Sequence, residues 1–282
     1  MVQKIDHRAY LCYQMKKITL LLGLFIGTIS LACCQSNEMG LCKVFLLAGQ
    51  SNMDGCGKSE ELSDKYITPP SNVRVWDNKD NKWVFLGETT FSNRRKKQFG
   101  PEMEFSHRIS KAFPNQNIRI IKTSGGGTKL YNQWIPEGGM YKRFIGNIEN
   151  ALEHLDSINQ SYEICGMLWM QGESDSETTE MANAYEENLK VFFESIRKES
   201  NQPELPIVMG RISSSLLKET PWVFDQTPIV QNAQEAVAKE DANVHIVNTD
   251  QLSTLWDNTH FDTKAQLKLG KKMARIMRRE TK

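Results

Sequence analysis

Ser51 stands in Gly49-Gln50-Ser51-Asn52-Met53, immediately after an apolar run, and His260 stands in Asp257-Asn258-Thr259-His260-Phe261, immediately before a helical pattern. A serine hydroxyl is a weak nucleophile until a base removes its proton, and histidine is the usual base near neutral pH. Of the five histidines, His7 lies in the N-terminal segment, His107 and His154 fall inside helical patterns, and His245 falls inside a strand-like run. Only His260 follows a strand-like run with a carboxylate, Asp257, three residues before it. That spacing lets the carboxylate hold Nδ1–H and leaves Nε2 for the serine. Ser51, His260 and Asp257 therefore read as nucleophile, base and orienting acid.

Each motif alone has a plainer reading. Ser51 could cap a helix, Asp257 and His260 could bond within a loop, and Gly125-Gly126-Gly127 could serve a turn. Glu173 and Asp175 could be a solvated helix start, where acidic side chains suit the dipole. Their common placement at strand ends favours the chemical reading. Apolar runs at 43–48, 118–122, 164–169, 207–209 and 244–247 are near-continuous, as strands covered on both faces require. Helical patterns at 101–113, 141–158, 177–199, 226–240 and 263–279 alternate with them. The expected fold is α/β, a doubly wound, mostly parallel sheet with helices on both faces, a flavodoxin-like three-layer sandwich. The active crevice of such a fold lies beyond the carboxyl ends of the strands. The Pro69-Pro70 region and the stretch from Gly87 to Gln98, with Arg94-Arg95-Lys96-Lys97, read as excursions between core elements.

Composition sets the outer bounds. The chain has 282 residues, 39% apolar and 24% charged, which excludes disorder as the main state. Its 35 basic and 34 acidic residues leave a formal charge of +1, so no nucleic-acid partner is expected. Cys42, Cys56 and Cys165 are too scattered for a disulfide framework, and at most one disulfide is expected. No cysteine pair has metal-ligand spacing, and the chemistry above calls for no metal or organic cofactor. Residues 1–34 read as a leader: Lys16-Lys17, an apolar run from Ile18 to Ala32 that is short for a membrane span, then Cys33-Cys34. The expected location is outside the cytoplasm, either periplasmic, secreted or tethered at the cell envelope through a lipid on Cys33 or Cys34. Membrane contact is expected only through that anchor.

Five motifs occur in a telling order: Gly49-Gln50-Ser51-Asn52-Met53, Gly100-Pro101-Glu102, Gly126-Gly127-Thr128 with Trp134, Trp169-Met170-Gln171-Gly172-Glu173-Ser174-Asp175, and Asp257-Asn258-Thr259-His260-Phe261. Over residues 41–280 the chain resembles the sialate O-acetylesterase-like carbohydrate esterases of the SGNH (GDSL-type) hydrolase superfamily, which include acetylxylan esterases. The resemblance implies an exported serine esterase acting on acetylated sugars or glycans through an acetyl-enzyme. It implies an oxyanion hole from the Ser51 N–H, the N–H of Gly126 or Gly127, and the Gln171 side-chain amide. Glu173 is a rival to Asp257 as acid partner of His260, with Asp257 favoured on local spacing. Trp134 and Trp256 could stack on a sugar, but simple packing is the favoured reading for each. A general short-chain carboxylesterase or lipolytic enzyme, and a noncatalytic carbohydrate-binding protein on the same fold, are the alternative readings.

Overall fold

The computed structural model describes residues 40–87, 97–219 and 223–281. The leader at 1–34 and the basic residues Arg94, Arg95 and Lys96 lie outside them. The first strand, β1 (Cys42–Gly49), is buried along its whole length, which suits the centre of a sheet covered on both faces. Around it forms a seven-stranded sheet of order β4-β3-β6-β1-β7-β8-β9. The members are β3 (Val73–Asp77), β4 (Lys82–Val84), β6 (Ile118–Ser124), β7 (Tyr162–Met170), β8 (Ile207–Gly210) and β9 (Val244–Val247). All pairings are parallel except β3 with β4. A separate small pair joins β2 (Gly57–Lys58) to β5 (Gln98–Phe99).

The helices are α1 (Ser51–Asp54), α2 (Glu102–Ala112), α3 (Gly139–Ser157), α4 (Thr179–Glu199), α5 (Thr227–Glu240) and α6 (Thr263–Glu280). Their starts have visible causes. Thr178 accepts the Met181 N–H at 3.3 Å ahead of α4, and Asp262 accepts the Ala265 N–H at 2.8 Å ahead of α6. The five strands and five long helices expected from periodicity are present within a few residues of their predicted bounds.

Two strands of the seven-stranded sheet went unrecognised, as did the short pair β2 and β5. In β3, inward Val73 and Val75 alternate with the half-buried Arg74, and only Val73–Val75 pair with β6. β4 is a three-residue edge strand held to β3 partly by Trp76 and Trp83, whose rings meet edge-on at 5.1 Å. Short, charged strands at a sheet edge carry almost none of the continuous apolar signal that marked the centre.

The order of connections fixes where chemistry can occur. From β1 the chain rejoins the sheet on one side as β3 and β4, fills the place next to β1 with β6, then crosses to the other side as β7, so the winding reverses at β1. In such folds the crevice lies beyond the carboxyl end of the strand where the winding reverses, and there Ser51 begins α1. Beneath the crevice Trp134, Trp169 and Phe192 form an aromatic core, with ring centroids 4.6 to 6.0 Å apart.

Candidate active site

The turn that carries Ser51 depends on Gly49. A Cβ there would lie 2.0 Å from the Met170 carbonyl oxygen, and φ is +151°. Its absence lets β1 and β7 converge, and the Gln50 N–H donates to Met170 O at 2.9 Å. Gln50, rather than Ser51, occupies the N-cap position of α1, so the capping reading of Ser51 does not hold.

Both neighbours of Ser51 are anchored to other loops. Gln50 Oε1 accepts from Gln171 Nε2 at 3.1 Å and from the N–H groups of Gly172 and Ser174 at 3.3 Å each. Asn52 Nδ2 donates to Glu173 Oε1 at 2.6 Å and to Thr259 O at 2.9 Å, and Asn52 Oδ1 accepts the Phe261 N–H at 2.9 Å. The residues on either side of His260 are thus tied to the residue after Ser51. One amide side chain brings the nucleophile loop and the histidine loop together across more than 200 positions of sequence.

The D-x-x-H spacing has a double use. Asp257 Oδ1 accepts the N–H groups of Thr259 at 3.0 Å and His260 at 2.9 Å, which folds the turn. Its other oxygen, Oδ2, stands 2.6 Å from His260 Nδ1. Burial pushes the Asp257 carboxyl up, but the hydrogen bonds from the His260 backbone and ring and from the Thr259 N–H outweigh it and hold the group below its ordinary value. An ionised carboxylate only accepts, so Nδ1 carries a proton towards it, and in the neutral ring the lone pair is then on Nε2. The His260 side chain is 23% exposed, whereas Ser51 is buried at 4% exposure.

The two carboxylates left open by sequence therefore have different partners. Asp257 meets the imidazole and Glu173 meets Asn52. Glu173 is buried, its Oε2 has no hydrogen-bond partner among the described residues, and burial raises its pKa above the ordinary carboxylate value. Asp175 is also buried and pushed up by desolvation. Neither is a solvated helix start.

Asp175 instead fixes the glycine-bearing loop. Its carboxylate accepts the N–H groups of Leu130 and Tyr131 at 2.8 Å each, and Gln171 Nε2 at 2.5 Å. Gln171 Nε2 also reaches Thr128 O at 3.0 Å, and Gln171 Oε1 accepts from the Tyr185 hydroxyl at 3.1 Å. The Gln171 amide, implied by the resemblance as an oxyanion donor, is here fully buried with its hydrogens engaged inside the protein. It joins the Ser51 loop to the Gly125–Thr128 loop. Among the described residues the backbone N–H groups of Ser51, Gly126 and Gly127 have no backbone acceptor. A Cβ built on Gly126 would lie 3.7 Å from Ser51 Cβ, so that loop borders the nucleophile.

A buried charge pair secures α1 from behind. Lys122 Nζ, on β6, lies 2.7 Å from Glu102 Oε2 and donates to Asp54 O at 3.0 Å, with both side chains at 0% exposure. Ser124 Oγ donates to Asp54 Oδ1 at 2.7 Å. Sequence reading missed Lys122, although a lysine inside Ile118-Arg119-Ile120-Ile121-Lys122 was itself a signal. A charge in a doubly covered strand needs a partner. Trp134 takes the packing role: it is fully buried in the aromatic core and donates to Thr128 Oγ1 at 2.9 Å, so it offers no face to a sugar. Trp256 is 89% exposed, one residue from Asp257. Among the described residues no cluster of three or more His, Cys, Asp or Glu side chains is arranged to hold a metal.

Relatives fit this geometry. The chain is 27% identical over 247 residues to a probable carbohydrate esterase of Arabidopsis thaliana, covering 82% of this chain and 88% of that one. An X-ray structure of an Arabidopsis thaliana protein superposes with a TM-score of 0.73 at 23% identity, covering 86% of this chain and 100% of that one. NanS superposes with a TM-score of 0.66 at 14% identity, covering 84% and 96%. A carbohydrate acetylesterase from Xanthomonas citri does so with a TM-score of 0.60 at 15% identity, covering 84% and 56%. These structural likenesses bear on the fold alone, an α/β fold with a mostly parallel seven-stranded sheet. The model of the family described as carbohydrate esterase, sialic acid-specific acetylesterase, matches residues 41–279, and the chain belongs to that family of carbohydrate-directed carboxylic ester hydrolases.

Proposed function

We propose that this chain is an exported serine esterase that removes O-acetyl groups from carbohydrates through an acetyl-enzyme. The observation that carries the reading is the pairing of Asp257 Oδ2 with His260 Nδ1 at 2.6 Å, in a turn that Asn52 ties to the Ser51 loop. Ser51 Oγ attacks the acetyl carbonyl carbon as His260 Nε2 takes its proton. The negative oxygen of the tetrahedral intermediate is held by the N–H groups of Ser51 and Gly126 or Gly127, with Gln171 and Asp175 keeping the two loops in register. Such donors are worth about 3 kcal/mol each. Collapse of the intermediate breaks the bond to the sugar oxygen, which takes the proton from His260. A water that gives its proton to His260 then attacks the acetyl-enzyme and releases acetate.

Trp256 fits the sugar side of this reaction. It is a large apolar face left in water on the turn that holds Asp257 and His260, and such rings stack on the C–H face of a pyranose. The assay is acetate release from O-acetylated sialic acid and from acetylated xylan, beside a p-nitrophenyl ester series of rising chain length. Activity that falls steeply beyond acetate and vanishes in Ser51→Ala is expected. Full activity in Ser51→Ala, or a preference for long acyl chains, would overturn the proposal. Export is tested by fractionating the host cell, with recovery of the chain in the cytoplasm as the opposing result.

A further inference from the structure

The charges balanced over the whole chain are segregated in space. Helix α6 contains seven basic residues and one acidic residue, Glu280, against a net charge of +1 for all 282 positions. The buried face of α6 carries Thr263, Ala265, Gln266, Leu269, Gly270, Met273, Ala274 and Met277, and none of its basic residues is on that face. Lys264, Lys268, Lys271, Arg275 and Arg278 are all exposed, and their alternating spacing of four and three residues sets them in one row along the helix. None of the five takes part in an ion pair among the described residues. The row is about 21 Å long, with one cation roughly every 5 Å.

Two cavities widen it towards α2. One of about 90 Å³ is lined by Arg108, Lys271, Ala274, Arg275 and Arg278, so four cationic side chains surround a space suited to one small anionic group. Arg108 also borders a second cavity of about 370 Å³, which Lys65, His107 and Lys111 line with Glu104. The Glu104 carboxylate is already engaged by Tyr66, Lys65 and Arg108.

We propose that this row and its groove form a docking surface for an acidic polysaccharide, a glycan carrying carboxylates along its length. Unpaired like charges in a row repel one another, and a linear polyanion relieves that repulsion while releasing its own counterions. The spacing of the cations is close to the rise of one sugar residue in an extended glycan. The row also starts at Lys264, four residues after His260, so a chain held at Ser51 could continue along it. A lipid surface fits less well. None of the exposed large hydrophobic residues lies on α6, so the helix has no apolar wedge to insert between headgroups. The choice of a glycan over other polyanions rests on the carbohydrate-directed reading above, whereas the electrostatic surface does not.

The test is binding of labelled polygalacturonate by the full chain across a salt series, measured by fluorescence anisotropy. The wild type and Ser51→Ala should bind alike, weakening steeply with salt. The triple variant Lys268→Glu/Lys271→Glu/Arg275→Glu should bind at least tenfold more weakly, with a shallower salt slope, and keep wild-type kcat/KM on p-nitrophenyl acetate. The milder Lys264→Gln/Arg278→Gln pair, at the two ends of the row, should weaken binding by a smaller factor at an unchanged melting temperature. Unchanged binding in the triple variant overturns the proposal. So does equal binding of neutral xylan, or tighter binding of single-stranded DNA or phosphatidylserine vesicles than of polygalacturonate. Because Ser51→Ala is compared only for binding, failure of the esterase reading would appear as missing acetate release with this surface intact.

Discussion

Replacing Gly126 with alanine separates catalysis from folding at a single atom. The added methyl would lie 3.7 Å from Ser51 Cβ, an ordinary contact, and would meet no other heavy atom within 4 Å. The residue also lies outside the positive-φ conformations that strain a side chain. The resting protein should therefore accept Gly126→Ala with no loss of stability, and a gain of about 0.5 kcal/mol is expected from the stiffer unfolded chain.

The acylated enzyme is different. The acetyl carbon would be bonded to Ser51 Oγ, two bonds from Cβ, and its oxygen would point towards the 125–128 loop. A methyl at 3.7 Å from that Cβ competes for the same space and pushes the Gly126 N–H away from the oxyanion. Loss of one such donor costs about 3 kcal/mol, or on the order of 100- to 1,000-fold in kcat. Two other glycines calibrate the result. Gly49→Ala would set a methyl 2.0 Å from the Met170 carbonyl and should prevent folding, whereas Gly127→Ala, at φ +72° with open space around it, should cost about 1 kcal/mol of stability. The assay is kcat for p-nitrophenyl acetate beside the melting temperature of each variant. Wild-type kcat in Gly126→Ala would refute the placement of the oxyanion against this loop, and a large fall in its melting temperature would refute the reading of its space.

Four further outcomes follow from the contacts. Asp257→Asn keeps an oxygen for the Thr259 and His260 N–H groups but can present an amide donor to Nδ1, which drives the ring proton to Nε2; kcat should fall about 10⁴-fold with little change in melting temperature. Lys122→Met removes the ammonium facing Glu102 in a site closed to water, which should cost about 3–5 kcal/mol and lower the melting temperature by on the order of 10 °C; Glu102→Gln added to it should recover part of that loss in calorimetry. Glu173 has a raised pKa in the folded protein, so the folded state holds its proton longer than the unfolded state, and stability falls as pH rises from about 4.3 through the folded value. Glu173→Gln removes that titration and can still accept from Asn52, so its melting temperature relative to wild type should be higher at about pH 8 than at about pH 4; a difference independent of pH would contradict the assignment. Trp256→Ala should raise KM for an acetylated oligosaccharide about tenfold and leave p-nitrophenyl acetate untouched, and equal effects on both substrates would remove the stacking role.

What the sequence made legible tracks how strongly burial constrains composition. β1, β6 and β7 are covered on both faces, so their apolar runs could hardly be read otherwise, and the long helices repeat their buried residues at helical spacing. β3 and β4 sit where the sheet meets water, and their alternation is too short to stand out from loop. The site divides the same way. Asp257 and His260 were legible because their interaction is local, three residues apart and closed by one turn. Trp134 was left between packing and stacking, with packing favoured, because an aromatic beside a loop motif looks the same in sequence whether it faces solvent or the core; the packing of Trp169 and Phe192 against it decides for the core. The cationic row was hidden by the balanced total, since net charge has no direction until a helix gives its residues a face.

The polar residues around Ser51 show why motifs so far apart must keep their order. Gln50 and Asn52 point to different partners because alternate residues of a tight turn face different directions. Gln50 reaches the loop after β7, while Asn52 reaches Glu173 on that loop and the backbone on both sides of His260. Asp175 on the same loop reaches the loop after β6. Three strand ends and the segment before α6 are thus joined by side-chain amides and carboxylates that are buried and cannot exchange partners with water. A polar network of this kind is costly when half satisfied and rigid when complete. Removing Asn52 should therefore loosen the His260 loop even though Asn52 touches neither the imidazole nor the attacking oxygen by any bond described above. Asn52→Ala leaves Glu173 without its donor and the Phe261 N–H without its acceptor, at about 1–3 kcal/mol apiece. Asn52→Asp retains the acceptor for Phe261 but sets a second carboxylate against Glu173. Both variants should lose kcat by more than they raise KM for p-nitrophenyl acetate, with the Asp variant's activity relative to wild type higher at low pH, where one of the two facing carboxyls is protonated. A constant ratio of Asp-variant to wild-type activity across that pH range would show that Glu173 does not share the buried space that its contact with Asn52 assigns to it.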